Sequence, residues 1–255
     1  MKLSDVKKLH QKKYRSQLGY YLVEGEHLVL ELLNAIGAGH PRLKAKDIVF
    51  YVTEQYHQWL EAKWPFETQC KAENITSQQM AQMSDTKSPQ GIIARVPLPS
   101  TVEPDGAAAI QGDSKYIYLY ETQDPGNLGT ILRSLAWFGN YTLLMSPNCV
   151  DPFNSKVVRA SMGAIFHLDM ELNVPLESLA ERFERIAYLD MDGQGIQTPS
   201  FNEYQCFLFG NEARGVPTEA VVQLKATAFT IPGSGKIDSL NLASAVNICV
   251  YELSR

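Results

Sequence analysis

Residues 116–139 read YIYLYETQDPGNLGTILRSLAWFG: a short apolar run, a polar loop with glycines, and a helical pattern. The run at 116–120 predicts a buried strand, because it is short and is bounded by turn residues. Beyond the loop, apolar side chains recur at helical spacing and gather on one side of a helix. They are Leu128, Ile131, Leu132, Leu135 and Phe138. A strand that leads through a loop into a helix is the repeating unit of an α/β fold.

The same alternation continues toward the end of the chain. Further short apolar runs lie at 141–145, 186–190, 206–209 and 228–231, with helical stretches between them. Buried strands that alternate with helices indicate βαβ units, and therefore a parallel sheet covered on both faces. We therefore predict an α/β domain with a parallel sheet over residues 114–255.

The N-terminal part has a smaller α/β pattern of its own. Strand-like runs such as YYLVEG and DIVFYVT alternate with the helical stretches EHLVLELLNA and EQYHQWLEAKW, and QGIIARVPL closes the unit. A stretch rich in proline and small residues follows, without periodicity, as expected of a linker. The predicted organisation is a first domain at 1–97, a linker at 98–113 and a second domain at 114–255.

The composition excludes several classes of protein. The chain has 255 residues, 45% of them hydrophobic and 20% charged, as in an ordinary globular protein. No apolar run approaches the roughly 18 residues of a membrane span, and the N-terminus lacks the apolar region of a secretory signal. The four cysteines are far apart and form no metal-binding pattern: Cys70, Cys149, Cys206 and Cys249. We therefore expect a cytoplasmic protein with no metal and no membrane association.

Charge is distributed unevenly along the chain. The net charge is −5, which by itself argues against a nucleic-acid partner, yet residues 1–15 hold six basic residues and one acid. Lys12, Lys13 and Arg15, with Tyr14 among them, are candidates for contacts to an RNA backbone. A solvated basic terminus without a partner is the alternative.

Unusual residues follow three of the predicted strands directly. ETQDPGN comes after the run at 116–120, GNEARGVP after 206–209, and PGSGKIDSLN after 228–231. Ligands of open parallel sheets bind outside the carboxyl ends of the strands, so the three loops are expected to meet at one crevice. Each loop taken alone is also compatible with an ordinary turn, since turns use Gly, Asn and Asp.

The lysine between glycines in the third loop does not indicate a nucleoside triphosphate. A Walker loop that ended at Gly235 and Lys236 would need glycine at Thr230 and serine or threonine at Ile237. The dinucleotide signature G-x-G-x-x-G is also absent. The usual sequence markers of nucleotide hydrolysis and of nicotinamide chemistry are therefore missing.

Several side chains in these loops are candidates for chemistry. Arg133 projects roughly 160° from the centre of the apolar stripe, toward solvent, a partner subunit or a substrate. Glu212 lies between Gly210 and Gly215, where glycine allows a close approach to a ligand. Ser239 and Asn241 lie at a helix start, where they can cap the helix or face a ligand beside its free N–H groups.

Together the three loops resemble the signature motifs of the SpoU/TrmH family of RNA ribose 2′-O-methyltransferases, in the SPOUT superfamily. DPGNLGTILRSLAWFG has the spacing N-x-G-x-x-x-R, LFGNEARGV has G-x-E-x-x-G, and IPGSGKIDSLNLASAVNICVYE is similar to the Ile-Pro…Ser-Leu-Asn segment. KVVRASMGAIFHL at 156–168 also fits the family pattern. Two positions depart from the family pattern. Gly233 stands where methionine is common after Ile-Pro, and LASA follows Asn241 where a valine- and serine-rich run is usual. The N-terminal YLVEGEHLVLELL is similar to the ribosomal-protein-like substrate-binding domain of many members.

The resemblance implies a deep trefoil knot near the C-terminus that holds S-adenosylmethionine, and a homodimer formed through the C-terminal domain. Backbone groups at three positions would contact the cofactor: Gly210, Ile231 and Leu240. Five side chains would line the reaction site: Asn127, Arg133, Glu212, Ser239 and Asn241.

The implied reaction is in-line transfer of a methyl group to a ribose 2′-oxygen, with S-adenosylhomocysteine as product and RNA as partner. Because an arginine is effectively always protonated, we expect Arg133 to grip a phosphate and stabilise charge on the oxygen rather than act as the base. Two alternatives stay open: an RNA-binding or ribosome-assembly protein of the same fold without activity, and an RNA base N-methyltransferase. The sequence does not distinguish ribosomal RNA from transfer RNA as substrate, or identify the nucleotide.

Overall fold

The computed structural model describes residues 1–64, 70–99, 114–237 and 239–255. The chain forms two compact units, each with its own β-sheet. The first unit comprises Met1–Ser100 and Asp151–His167, and the second comprises Thr101–Val150 and Leu168–Arg255. The predicted linker lies outside the described residues from position 100 to 113, and the predicted domain boundaries stay a prediction.

Helices and strands alternate through both units. The α-helices are α1 (Leu3–Lys8), α2 (Lys12–Leu18), α3 (Glu26–Gly37), α4 (Glu54–Lys63), α5 (Ser77–Met83), α6 (Pro125–Phe138), α7 (Ser155–Ser161), α8 (Leu179–Arg182), α9 (Thr218–Gln223) and α10 (Leu242–Leu253). The β-strands are β1 (Tyr20–Glu24), β2 (Val49–Val52), β3 (Lys71–Asn74), β4 (Ile92–Pro97), β5 (Lys115–Leu119), β6 (Tyr141–Met145), β7 (Asp169–Leu172), β8 (Ile186–Gly195), β9 (Cys206–Phe209) and β10 (Thr227–Thr230).

The sheet of the first unit has the strand order β1-β4-β2-β3. β4 is antiparallel to β1 and β2, whereas β2 and β3 are parallel. Helices α1 and α5 contribute to an apolar cluster on one face of this sheet. Its strand members are Leu22, Val49, Tyr51 and Ile93, and its other members are Val6, Leu9, Ile75, Met80 and Met83. Burial of these apolar side chains supplies the main driving force for this layer of the unit.

The segment 151–167 belongs to the first unit although it lies far along the chain. Its helix α7 packs against β1, and the ring centroid of Phe153 lies 4.9 Å from that of Tyr21. Val157 and Val158 are fully or almost fully buried. This segment therefore contributes core side chains to the first unit.

The sheet of the second unit confirms the predicted parallel α/β fold. Its order is β10-β8-β9-β5-β6-β7, and every neighbouring pair of strands is parallel. The predicted apolar stripe of α6 is confirmed as well, because four of its five members are fully buried: Leu128, Ile131, Leu132 and Leu135. Asp124 caps the start of α6, where its Oδ1 accepts a hydrogen bond from the backbone N–H of Asn127 at 2.7 Å. No helix in the described ranges is long and apolar enough to cross a membrane.

Candidate active site and RNA-binding surface

The three motif loops begin at the same edge of the second unit's sheet. They follow the carboxyl ends of β5, β9 and β10, and these strands run parallel. β5 and β9 are neighbours, while β8 separates β9 from β10. The sheet therefore brings the first and second loops together directly, and places the third at the same edge.

Glu212 connects the second loop to the first. Its Oε2 accepts a hydrogen bond from the backbone N–H of Gln123 at 3.3 Å, and its Oε1 accepts one from that of Asp124 at 3.4 Å. Oε1 also accepts from Nδ2 of Asn127 at 3.3 Å. The Glu212 carboxylate is thus surrounded by donors of the loop and helix that follow β5.

Asn127 connects this arrangement to the third loop. Its Oδ1 accepts a hydrogen bond from Nδ2 of Asn241 at 2.9 Å. Oδ1 of Asn241 in turn accepts from the backbone N–H of Ser244 at 3.3 Å, so Asn241 caps α10 and contacts Asn127 at the same time. The chain Glu212–Asn127–Asn241 joins the three loops, as the sequence predicts for side chains at one edge of the sheet.

Gly210 allows the second loop to fold tightly on itself. A β-carbon at this position would lie 2.3 Å from the carbonyl carbon of Gly215 and 2.6 Å from the nitrogen of Val216. Asn211 and Gly215 exchange backbone hydrogen bonds of 3.0 and 2.9 Å across the loop. A side chain at Gly210 is therefore excluded by backbone atoms, which cannot move aside as a flexible side chain would.

The third loop leaves its backbone donors available. Among residues 231–237 and 239–240, no backbone N–H donates to a backbone carbonyl of the described chain. Ser239 is exposed, Ile231 is half-buried, and the apolar side chains of Ile237 and Leu240 are 71% and 46% exposed. Free N–H groups beside exposed apolar side chains suit a ligand that has both polar atoms and a flat apolar ring.

Arg133 lies outside the network that joins the loops. Its side chain is exposed, and it makes no hydrogen bond or ion pair with any described residue. Arg133 lies six positions after Asn127 on α6, so the two side chains point about 120° apart. The predicted direction of Arg133, away from the core, agrees with its exposure, but one chain does not bring Arg133 to Asn127 and Glu212.

Glu121 is a residue of this edge that the sequence reasoning missed. It takes a left-handed backbone conformation, with φ of 47°, which is uncommon for a residue other than glycine. Its N–H donates to Oγ of Ser146 at 2.7 Å, and its carbonyl accepts from Nδ2 of Asn211 at 2.7 Å. Its carboxylate accepts from Arg214 at 2.7 Å and from Nδ2 of Asn148 at 3.3 Å. Glu121 therefore connects the loops after β5, β6 and β9, and no sequence motif predicts this role.

Two chemical alternatives find no support at this edge. Burial raises the pKa of the Cys149 thiol, so this cysteine is not an activated nucleophile at neutral pH. Across the described residues, no group of three or more His, Cys, Asp or Glu side chains could hold a metal ion.

In the first unit, Lys12 and Lys13 are exposed on α2, as predicted for an RNA-binding surface. The Nζ atoms of Lys8 and Lys13 lie 5.7 and 5.8 Å from the centroid of the Tyr14 ring. These distances fit cation–π contacts, which would hold the lysines beside an aromatic side chain.

Arg15, the third residue of the predicted RNA-binding set, differs from Lys12 and Lys13 in its surroundings. Its side chain is only 3% exposed, and its Nε and NH2 donate to Oδ2 of Asp151 at 3.0 and 2.5 Å. NH1 donates to the carbonyl of Leu9 at 2.8 Å. The guanidinium is therefore paired within the first unit, and its contact with RNA stays a prediction.

Replacing Arg15 by glutamine is expected to lower the free energy of unfolding by about 3 kcal/mol, because Asp151 would keep its charge without its cation. The matched variant Lys12→Gln removes an exposed, unpaired charge and should change stability by less than about 0.5 kcal/mol. Urea denaturation of both variants measures the difference. Unchanged stability of Arg15→Gln, together with weakened RNA binding, would show instead that Arg15 acts in RNA binding.

Comparison with known proteins identifies the class. The model of the SpoU rRNA methylase family matches residues 114–251, and that of the MRM3-like substrate binding domain matches residues 1–94. The chain therefore belongs to the SpoU methylase family, and carries the substrate-binding domain described for MRM3-like proteins.

Individual relatives match over nearly the whole chain. The 23S rRNA (guanosine(2553)-2′-O)-methyltransferase RlmP of Bacillus subtilis is 31% identical, over 99% of this chain and 95% of the relative. The structure of a TrmH-family RNA methyltransferase from Porphyromonas gingivalis superimposes with a TM-score of 0.80 at 26% identity, covering 98% of this chain and 96% of that one. The SpoU methyltransferase AviRb of Streptomyces viridochromogenes, solved with S-adenosylmethionine, shares the fold with a TM-score of 0.81 at 19% identity, covering 99% and 96%.

Proposed function

We propose that this protein is an S-adenosylmethionine-dependent methyltransferase that modifies a ribose 2′-oxygen of RNA. The observation that carries the proposal is the chain of contacts from Glu212 through Asn127 to Asn241, which joins three loops at the carboxyl edge of a parallel sheet. Membership of the SpoU family and 31% identity to a 23S rRNA 2′-O-methyltransferase support it. The rRNA relative makes ribosomal RNA the first substrate to test, with transfer RNA second.

The loops of this edge suit S-adenosylmethionine, which when bound supplies a methyl group on a sulfonium. Gly210 keeps the second loop tight, and the third loop has N–H groups with no backbone acceptor among the described residues, beside the exposed Leu240. Backbone groups of Gly210, Ile231 and Leu240 would hold the cofactor. The trefoil knot implied by the family belongs to this proposal, and close packing of Gly193 against the backbone of Ala228 and Phe229 is compatible with it.

The protein's own side chains would orient the ribose and stabilise the 2′-oxygen as it loses its proton. Asn127 and Glu212, already in contact, would position the sugar, and Ser239 and Asn241 would border it from the third loop. Arg133 is a permanent cation that pairs with no described residue of its own chain. Its role would be to grip a phosphate of the RNA and stabilise negative charge on the reacting oxygen, while water or phosphate accepts the proton.

A second copy of the chain would complete the site. The packed helices α6 and α10 both expose large apolar side chains, with Trp137 85%, Tyr251 56% and Ile248 39% exposed. Arg133 and Thr130 are exposed on α6 and lie on the same side of the helix as Trp137. A homodimer formed through this face would bury the apolar side chains and place Arg133 at the interface.

The dimer predicts that Trp137→Glu yields a protein of half the mass, because a charge at the centre of the apolar face opposes its burial. Light scattering coupled to gel filtration measures the mass directly. Val222→Glu is the matched control, since Val222 is 71% exposed on α9, which is not part of the helix pair, and its variant should remain dimeric. A wild-type protein that elutes as a monomer at micromolar concentration would contradict the dimer.

Lys12 and Lys13 would contact the RNA backbone. Replacing both by glutamine is expected to weaken RNA binding and to lower the slope of log K against log salt by about 0.7 for each lysine lost. Fluorescence anisotropy at several salt concentrations gives the slope. An unchanged slope would exclude these lysines from the RNA-binding surface. The proposal places the enzyme in the cytoplasm, in keeping with four free cysteines, two of them buried.

Two measurements test the activity itself. Calorimetric titration with S-adenosylmethionine should show binding, and its absence would favour an RNA-binding protein without activity. Ribosomal and transfer RNA incubated with enzyme and cofactor, digested with nuclease and analysed by mass spectrometry, should contain a new 2′-O-methyl nucleoside. A methylated base in its place would identify a base N-methyltransferase.

A further inference from the structure

An arginine stacked on an aromatic ring lies on the sheet of the first unit. The guanidinium carbon of Arg95, on β4, is 4.3 Å from the centroid of the Tyr20 ring, on β1. Arg95 faces Leu22 across one strand pair and Val49 across the other, so these side chains share one face of the sheet. Arg95 is half-buried, and part of its side chain therefore still meets solvent.

Among the described residues, no acid pairs with this arginine. Arg15 is held by Asp151 and Arg159 by Asp85, both in the same unit, whereas Arg95 makes no hydrogen bond or ion pair with any described residue. Its Nε is buried without an acceptor. Because the rest of the side chain is half-buried, Arg95 has donor groups that no described residue uses.

A second buried polar group without a partner lies on the same face of the sheet. The hydroxyl of Tyr51 is buried without a partner, on a side chain of the same sheet face that is fully buried. Lys71 lies opposite Val49, in line with Arg95, and is exposed. Glu73 is an acid on this face, yet no ion pair joins it to Arg95.

Single-stranded RNA has the acceptor oxygens and the flat bases that could pair with Arg95. The part of the Arg95 guanidinium that meets solvent beside the Tyr20 ring can stack on an unpaired base, while its N–H groups donate to phosphate or base oxygens. We propose that Tyr20 and Arg95 form a stacking platform for one unpaired nucleotide of the RNA substrate; this inference rests on the proposed function.

The test measures binding of the full-length protein to a fluorescein-labelled, single-stranded RNA of mixed sequence, by anisotropy. Arg95→Lys keeps the charge and loses the flat guanidinium, so we expect about tenfold weaker binding with an unchanged salt slope. Arg95→Gln should weaken binding and also lower the slope by about 0.7. Tyr20→Leu should lose about tenfold, and Tyr20→Phe, which keeps the ring, should bind like the wild type.

Controls separate the platform from general effects. Arg185→Lys alters an exposed arginine that is paired with Glu203 in the second unit, and it should leave binding unchanged. Thermal denaturation shows whether Tyr20→Leu still folds; if it does not, Arg95→Lys and Tyr20→Phe decide the question. Fully duplex RNA should bind the wild type and Arg95→Lys equally. Wild-type affinity of Arg95→Lys for the single strand, or an equal loss on the duplex, would overturn the platform.

Calorimetry with S-adenosylmethionine distinguishes this failure from failure of the proposed function. If the wild type binds the cofactor but its RNA binding does not depend on Arg95, the stacking platform is contradicted and the proposed methyltransferase function is not. RNA binding that depends on Arg95 in a protein without cofactor binding would do the reverse.

Discussion

The variant Arg133→Lys should transfer methyl groups about 10²- to 10³-fold more slowly than the wild type, with unchanged affinity for S-adenosylmethionine. Lysine keeps the positive charge but loses the planar fork that binds phosphate with two hydrogen bonds. Arg133 is exposed and unpaired in the single chain, so no described contact is lost when it changes. Single-turnover kinetics measures the rate, and Arg185→Lys serves as the control for a surface arginine. A nearly normal rate would exclude both a role in gripping phosphate and a role as the base.

Mixing two variants tests where Arg133 acts. If it reaches the site of the partner subunit, a heterodimer of Arg133→Lys and Glu212→Gln contains one site with both native residues, and mixing restores part of the activity. If Arg133 acts within its own chain, every site in that heterodimer lacks one of the two. No recovery after mixing, with heterodimers verified by mass spectrometry, would place Arg133 in its own subunit's site.

The variant Gly210→Ala should lose measurable S-adenosylmethionine binding and about 3 kcal/mol of unfolding free energy. The added methyl would lie 2.3 Å from a backbone carbon of Gly215, a distance that no real contact tolerates. The second loop must open to relieve the clash, and the contacts of Glu212 with the first loop would then be strained. Calorimetry and urea denaturation measure the two effects separately.

Gly233→Ala is the matched control in the third loop. Nothing lies within 4 Å of a methyl group at Gly233, and its backbone is outside the left-handed region. Replacing such a glycine reduces the freedom of the unfolded chain, so stability should be unchanged or rise by up to about 1 kcal/mol. Equal effects of the two substitutions would show that the tight packing at Gly210 has no special importance.

Much of the second unit could be predicted because its patterns are local. The apolar spacing on α6 fixed which side is buried, and Leu128, Ile131 and Leu135 are fully buried. The convergence of Asn127, Glu212 and Asn241 followed from a general property of parallel sheets, whose carboxyl ends share one edge.

Other features could not be read from the sequence, because their causes are not local. β3, Lys71–Asn74, is an exposed edge strand without an apolar pattern, and β7 begins with an acid. Arg15 looked like its basic neighbours, since its partner Asp151 is 136 residues away. The left-handed backbone of Glu121 depends on three loops that meet only in the folded chain.

The return of residues 151–167 to the first unit makes the two halves of this protein inseparable. The chain enters the first unit again after residue 150 and leaves it after residue 167. A fragment that begins at residue 114 would carry Phe153, Val157 and Val158 without the first unit's sheet, which covers them in the whole chain. The remaining N-terminal fragment would hold the buried guanidinium of Arg15 without the carboxylate of Asp151. Insertions or deletions in the gene near codons 150 and 168 would therefore damage both units at once.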